Sequence, residues 1–223
     1  MSQTKAQLIN AVDGSIVDAD IVGLTSSKLS GTLPAVSGAN LTNLPAANLT
    51  GALPAISGAA LTNLPASGIS QSSTWRLTSN TSIDSSQVVL TSNLEECDNS
   101  SYTRIGSAFT ESSGLFTFPA TGIYLIEATG MFYVGSGNSP YPGLGIQITT
   151  DNGSNYDRIA VSYTNIYTNQ AYGGSYCAYQ FDVTNTSTHK VRFITDSANT
   201  SALISGSTND NHTFFQFTRL GDT

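Results

Sequence analysis

The feature that most restricts how this chain can fold is a 20-residue unit that occurs twice in succession. Residues 29–48 read LSGTLPAVSGANLTNLPAAN, and residues 49–68 read LTGALPAISGAALTNLPASG. The prolines of the two units are Pro34, Pro45, Pro54 and Pro65. Proline at this frequency interrupts helices, and glycine does not occupy every third position as a collagen triple helix requires. The repeat therefore predicts an extended segment that contains turns.

The leucines of this repeat need a partner surface. A solenoid made from one chain needs about three or more repeats to bury its apolar side chains, and this chain has two. Three copies wound around a common axis could instead direct the leucines, Val36 and Ile56 inward. We therefore predict a triple-stranded stalk over residues 26–72. A flexible linker is the alternative, which the regular recurrence of leucine disfavours.

Residues 1–25 are more apolar than an inert tail requires, with Leu8, Ile9 and Val12 among the apolar positions. One interpretation is a docking segment that holds a fibre to a larger particle, and another is an N-terminal extension of the stalk. The first residues are too short an apolar stretch for a signal peptide, and no run of about 20 apolar residues follows. We therefore expect a soluble chain made in the cytosol.

Residues 73–223 are expected to form an all-β head. Charged residues are 10% of the chain, whereas Ser, Thr, Asn and Gly are abundant, which favours strands and turns over helices. Short alternating runs predict eight to ten strands. They include 114–118, 123–134, 143–150, 157–163, 177–183, 190–195, 201–205 and 213–220. In the run 177–183, Cys177, Tyr179, Phe181 and Val183 share the face expected to look inward.

Two stretches of the head carry a family resemblance. Residues 114–126 read GLFTFPATGIYLI, which resembles the phrase G-x-F-x-F/C-P-x-x-G-x-Y-x-F of complement C-one-q and tumour-necrosis-factor (TNF)-like heads. Residues 213–220, TFFQFTRL, resemble the final aromatic strand of those heads. The sequence departs from the pattern at Ile126, where an aromatic residue is usual. The resemblance implies a ten-stranded jelly roll that forms a homotrimer.

The N-terminal part resembles a different group. Its first nine residues, MSQTKAQLI, followed by repeats of the form LxGxLPAxSGAxLTxLP, look like the opening of bacteriophage tail-fibre and related virion proteins. This resemblance covers about residues 1–68. It implies a stalk that joins a trimeric head to a virus particle, which is the arrangement expected from the residues themselves.

The sequence offers little support for catalysis. Glycoside cleavage needs a pair of carboxylates held about 5 to 10 Å apart, and we expect Glu95 and Glu96 to lie in a solvated loop. Residues 151–157 carry oxygen ligands but lack the EF-hand order, so they predict a hairpin turn rather than a calcium site. Cys97 and Cys177 lack metal-site spacing and are expected to be buried free thiols. We predict no enzyme activity, no cofactor and no metal site.

The most suggestive surface is aromatic. Tyrosines alternate with Thr, Asn and Gln between Tyr163 and Tyr172, and this composition combines rigid contact area with adaptable hydrogen bonds. We predict that Tyr163, Tyr167, Asn169 and Tyr172 bind a partner. The alternative is that Tyr163 and Tyr179 pack in the core or between subunits.

Together these features predict a non-enzymatic homotrimeric fibre of a virus particle, made in the host cytoplasm. The N-terminus would dock on a tail or capsid protein, and the head would bind a host-surface glycan or protein. The net charge of −7 and the eight unclustered Lys and Arg residues argue against nucleic acid. The alternatives are a capsid-attached decoration fibre, a secreted signalling ligand with the same head, and a glycan-active enzyme.

Overall fold

The computed structural model describes residues 68–83, 86–199 and 201–223. The described residues belong to one compact unit, Asn63–Thr223. Residues 26–67 of the predicted stalk lie outside the described residues, as do the proposed docking residues Leu8, Ile9 and Val12. The predicted boundaries at residues 25 and 72 therefore stay predictions.

The described part of the chain consists of strands and connecting segments, without a helix. Its thirteen strands are β1 (Ser72–Leu77), β2 (Thr81–Ile83), β3 (Val88–Val89), β4 (Leu94–Glu96), β5 (Thr110–Ser112), β6 (Leu115–Thr117), β7 (Gly122–Val134), β8 (Gly143–Thr149), β9 (Asp157–Tyr163), β10 (Ala171–Val183), β11 (Lys190–Asp196), β12 (Ala202–Ile204) and β13 (Phe214–Gly221). The all-β prediction is confirmed, and each predicted run contains a strand. The expected number of strands was too low because several are three residues or shorter.

The strands form two antiparallel sheets. The first sheet has the order β2-β12-β7-β13-β1-β4, and β10 also pairs with β7. The second sheet has the order β5-β6-β11-β8-β9, and β3 also pairs with β11. Strand β7 is central to the first sheet because β10 pairs with it over its full length, whereas β13 and β12 share its other edge. These pairings make the sandwich architecture of a jelly roll.

The core lies between the sheets and is rich in phenylalanine. Buried and partly exposed residues alternate along all of β7, as expected of a strand with one face on the core. Phe193 of β11 stacks on Phe215 of β13 with ring centroids 3.8 Å apart. Phe116 packs against both rings and against Trp75. The two sheets are therefore joined by aromatic contacts between strands that are distant in sequence.

The phrase that carries the family resemblance belongs to this core. Phe116, Phe118 and Tyr124 are buried, and the Tyr124 hydroxyl donates to the Ala120 carbonyl at 3.0 Å. Gly122 has φ of +144°, and a side chain there would meet the Arg219 guanidinium. The turn between β6 and β7 therefore requires a glycine at this position.

Candidate functional site

The segment between β9 and β10 is anchored at its middle and exposed beyond the anchor. Ile166 is buried, and its backbone exchanges hydrogen bonds with Ser139 at 2.8 and 2.9 Å. The Gln170 amide donates to the Val134 carbonyl at 2.7 Å and closes the segment onto the end of β7. Gly173 lies close to Ile166, and a side chain there would meet Ile166 Cγ1. These contacts hold residues 167–169 in a defined position at one end of the sandwich.

Two of the predicted binding residues meet at this end. Tyr167, which is 79% exposed, and Asn169 line an open cleft of about 420 Å³ with Thr168, Gly137 and Asn138. The opposite wall is held by Asn199, whose side-chain amide donates to the carbonyls of Ser136 and Asn138 at 3.1 and 2.7 Å. The cleft therefore joins an exposed aromatic ring to amide and backbone groups on two supported segments.

Tyr163 lies elsewhere, at the end of β9. Its ring makes an edge-to-face contact with Tyr141, with centroids 6.1 Å apart. Its hydroxyl donates to Asp196 Oδ2 at 3.3 Å. The side chain is 44% exposed, so Tyr163 belongs to the surface of the second sheet rather than to the core. By contrast, Tyr179 is half-buried and packs against the core.

Tyr172 lies on the first sheet, on the side turned away from the second. Strand β10 begins at Ala171, six residues earlier than predicted, so Tyr172 pairs with Tyr133 of β7. Their ring centroids are 4.9 Å apart. The expected exposure of the tyrosines is found, but the four predicted residues do not form one surface. Gly137 and Asn138 were missed, although the polar, glycine-containing sequence GSGNS at residues 135–139 indicated a loop.

We call the side of the first sheet that is turned away from the second the outer face. On β7 it presents the half-buried residues Leu125, Met131 and Tyr133. Neighbouring strands add exposed Tyr172 and Tyr176 and half-buried Phe214. The Tyr176 hydroxyl donates to Glu127 Oε1 at 2.6 Å near the middle of this face. The outer face thus combines a group of apolar and aromatic side chains with polar ones, which include Thr129, Gln180, Asp182 and Gln216.

The prediction that Glu95 and Glu96 lie in a solvated loop is wrong. Both belong to β4 and are half-buried. Glu95 accepts a hydrogen bond from Arg76 Nε at 2.8 Å, and Glu96 accepts from the hydroxyls of Ser73 and Tyr102 and from Arg104. Pairing with strand β1 brings Ser73 and Arg76 to these carboxylates, which the local sequence does not reveal.

The four glutamates of the chain all accept hydrogen bonds inside the head. Besides Glu95 and Glu96, Glu111 accepts from the Gly114 amide and Glu127 from Tyr176. Within the described residues no group of three His, Cys, Asp or Glu residues could hold a metal ion.

The two cysteines are buried free thiols, as predicted. Burial raises the pKa of Cys177 to about 11, and its thiol donates to the Leu144 carbonyl at 3.5 Å. Burial also raises the pKa of Cys97, although the nearby Arg76 acts in the opposite direction. Neither thiol is therefore activated as a nucleophile at neutral pH.

The segment at residues 151–157 is a hairpin turn between β8 and β9, as predicted. Asp151 accepts hydrogen bonds from the Asn155 amide at 2.9 Å, from Asn155 Nδ2 at 2.6 Å and from Thr149 Oγ1 at 2.7 Å. These bonds lower the pKa of Asp151 to about 2. The carboxylate therefore stabilises the turn.

Comparison with known proteins relates the head to one group of folds. No protein-family model matches the chain, and no curated protein matches it. The Eiger TNF structure from S. frugiperda has a TM-score of 0.50 and 10% identity over 68% of this chain and 93% of that one. The described head has a TNF-like jelly-roll fold. Murine APRIL at pH 5.0 gives a TM-score of 0.49 and 15% identity, covering 67% of this chain and 98% of its own.

The described residues contain no helix that is long and apolar enough to cross a membrane.

Proposed function

We propose that this chain is a non-enzymatic recognition protein that works as a homotrimer, with three TNF-like heads packed through their outer faces. The observation that carries this proposal is the group of partly exposed apolar and aromatic side chains on the outer face. Leu125, Met131 and Phe214 are partly exposed there, and Tyr176 is 54% exposed. A contiguous apolar surface on a folded domain commonly marks an association site.

The opposite side of the sandwich, on the second sheet, carries polar contacts of the kind found on solvent-facing surfaces. On the second sheet, Arg192 Nε donates to Gln147 Oε1 at 2.7 Å, and the guanidinium lies 3.3 Å from the centroid of the Tyr156 ring. Lys190 donates to Thr117 Oγ1 at 2.9 Å on the same sheet. These contacts cover the second sheet around β11, whereas the apolar and aromatic side chains on the outer face would gain from a partner.

The recognition role is supported by the cleft at Tyr167 and Asn169. An exposed tyrosine beside amide groups on anchored segments can bind a polymer or protein without a large ordering cost. We assign host-surface binding to this cleft, where three heads raise weak single contacts by avidity. Tyr163 is a neighbouring candidate, whereas Tyr172 fits better in the subunit contact because it shares the outer face with Tyr133.

The biological setting that we propose is a virus fibre, with attachment through the N-terminal segment that contains Leu8, Ile9 and Val12. This part of the proposal rests on the proline-containing repeat and on its resemblance to phage fibres. Attachment to a tail or to a capsid would use the same parts. A signalling ligand with this head is the rival, because the TNF-like fold also suits one.

Assembly is tested on the full chain by light scattering at micromolar concentration. We expect three times the chain mass of 23.3 kDa. Leu125→Glu places a charge on the outer face and should shift the mass towards the monomer, since an unpaired charge in an apolar contact is costly. Val161→Glu on the exposed surface of β9 is the matched control and should leave the mass unchanged. A monomeric parent protein would overturn the proposal.

Attachment is tested by deleting residues 1–25. The shortened chain should still form a trimer, with three times its own chain mass, but it should be missing from purified virions. Imaging of the labelled full chain on intact particles then separates tail from capsid. If the shortened chain still joins particles, docking lies elsewhere. If the full chain is absent from particles, the signalling rival is favoured.

A further inference from the structure

A second cleft lies apart from the Tyr167 cleft, beside strands β1 and β4. It has a volume of about 430 Å³ and is lined by Asn99, Ser101, Tyr102, Asn209, Asp210 and Asn211, with Thr74 and Cys97 beneath them. The lining comes from three separate parts of the chain: β1, residues 97–102 and residues 209–211. Three amides, a carboxylate and three hydroxyl-bearing side chains therefore converge around one space, a composition typical of a site for a polar ligand.

The walls of this cleft are fixed from below by buried groups. Arg76 is fully buried and donates from Nη1 to Asn99 Oδ1 at 2.6 Å. Asn99 Nδ2 in turn donates to the Asn209 carbonyl at 3.1 Å and links the two loops. The Cys97 thiol donates to Asn211 Oδ1 at 3.4 Å, which leaves the Asn211 amino group as a free donor. The loops are therefore held in place before any ligand arrives.

Several groups on the rim have no partner in the part of the chain that the structure describes. The Asp210 carboxylate, the Asn209 side-chain amide and the Ser101 hydroxyl are exposed, and no hydrogen bond or ion pair engages them. Together with the Asn211 amino group they provide strong acceptors and donors side by side. A ligand with several hydroxyl groups could satisfy both kinds at once, because each hydroxyl donates and accepts.

Charge limits the class of ligand. The two cations nearest the cleft are already paired: Arg76 with Glu95 and Asp98, and Arg104 with Glu96. Asp210 adds an unpaired negative charge at the rim, so phosphate, sulfate or carboxylate groups would be repelled. The half-buried Tyr102 uses its hydroxyl to donate to Glu96 Oε1 at 3.0 Å and to accept from the Thr74 amide at 3.0 Å. Its ring can therefore serve as an apolar wall.

We propose that this cleft binds a neutral saccharide, with Asp210 and Asn209 accepting from sugar hydroxyls, Asn211 and Ser101 donating to them, and Tyr102 covering an apolar side of the ring. The site goes beyond the recognition role assigned to the Tyr167 cleft, because the two clefts share no residue. Either assignment can be wrong while the other holds.

The test uses the full chain on an array of neutral hexose and N-acetylhexosamine oligosaccharides, with sialylated and sulfated counterparts. We expect binding to neutral members. Asp210→Ala should weaken it about tenfold or more, since a hydrogen bond to a charged acceptor is lost. Ser101→Ala should weaken it less. Asp157→Ala removes an exposed carboxylate of β9, outside the cleft, and is the matched control that should bind as the parent does.

Three results would overturn the proposal: binding to no neutral member, preference for the sulfated or sialylated members, and equal binding by the Asp210→Ala and Asp157→Ala variants. Tyr167→Ala distinguishes the two clefts. If it abolishes array binding while Asp210→Ala has no effect, the saccharide site is at Tyr167, and the proposal for the Asp210 cleft fails while the proposed function stands. Melting curves of each variant confirm that the fold is retained.

Discussion

The guanidinium of Arg76, which is fully buried, donates from Nε to Glu95 Oε1 at 2.8 Å across the pairing of β1 with β4. Its remaining nitrogens donate to Asp98 Oδ1 at 2.5 Å and to Asn99 Oδ1 at 2.6 Å. Arg76 therefore uses its planar fork to hold an edge strand and the loop after it, which a lysine with one ammonium group could not do.

Arg76→Leu should lower the free energy of unfolding by about 2 kcal/mol, less than a fully enclosed ion pair would cost because Glu95 and Asp98 still reach water. Arg158→Leu removes an exposed arginine 3.8 Å from Asp196 and should cost about 0.5 kcal/mol or less. Denaturant unfolding at one fixed chain concentration measures both. Equal losses for the two variants would contradict the role given to Arg76.

Gly122→Ala should destabilise the head by about 1 to 3 kcal/mol. The reason is the backbone φ of +144° at Gly122 and the closeness of the Arg219 side chain. Gly135→Ala is the comparison, because a side chain there meets its nearest atom at 3.6 Å without a positive φ. The melting temperature of Gly122→Ala should be clearly lower than that of Gly135→Ala. Equal melting temperatures would refute the requirement for glycine at position 122.

Phe215→Ala should cost about 3 to 5 kcal/mol because it empties a fully buried ring site that Phe193 stacks on. Tyr167→Ala should change the stability by about 0.5 kcal/mol or less, since its ring is 79% exposed. The same Tyr167 variant should reduce adsorption to host cells if the cleft binds them. A large loss of stability in Tyr167→Ala would place this tyrosine in a structural role instead.

Asp151 should titrate near pH 2, below the ordinary value of 3.8, chiefly because the Asn155 amide and side chain and the Thr149 hydroxyl donate to it. Since the folded pKa is the lower one, this carboxylate favours the folded state above about pH 4, and its contribution is lost as the pH falls towards 2. NMR titration of the carboxyl carbon measures the value. Asn155→Ala should raise it, and a parent value near 3.8 would show that the turn does not hold Asp151.

Much of the head could be predicted from the sequence because the alternation of apolar residues along 123–134 and 213–220 reports directly which face is buried. The spacing of Phe116, Phe118, Gly122 and Tyr124 indicated the fold, since these residues depend on one local turn. The shortest strands were missed because two or three residues cannot establish an alternating pattern.

The candidate sites were harder to predict. Segment 163–172 was predicted to form one surface. Strand β10, however, begins at Ala171 and places Tyr172 on the outer face, whereas Tyr167 follows the buried Ile166 in the segment before this strand. The local composition is the same on both sides of Ala171, so it does not show the change. The Asp210 cleft was not predicted either, because its walls are brought together by long-range contacts of Arg76 and Cys97.

The pairing of β1 with β13 also governs when the head can fold. Thr74 and Gln216 touch across this pairing although they are 142 residues apart, and β13 covers one edge of β7 as well. In a nascent chain that has not yet emerged past residue 221, β13 is not available to pair with β1 or with its part of β7. The head therefore cannot complete its first sheet until β13 has left the ribosome, and ribosomes that stop before Phe214 would release chains with open sheet edges, which are prone to aggregate.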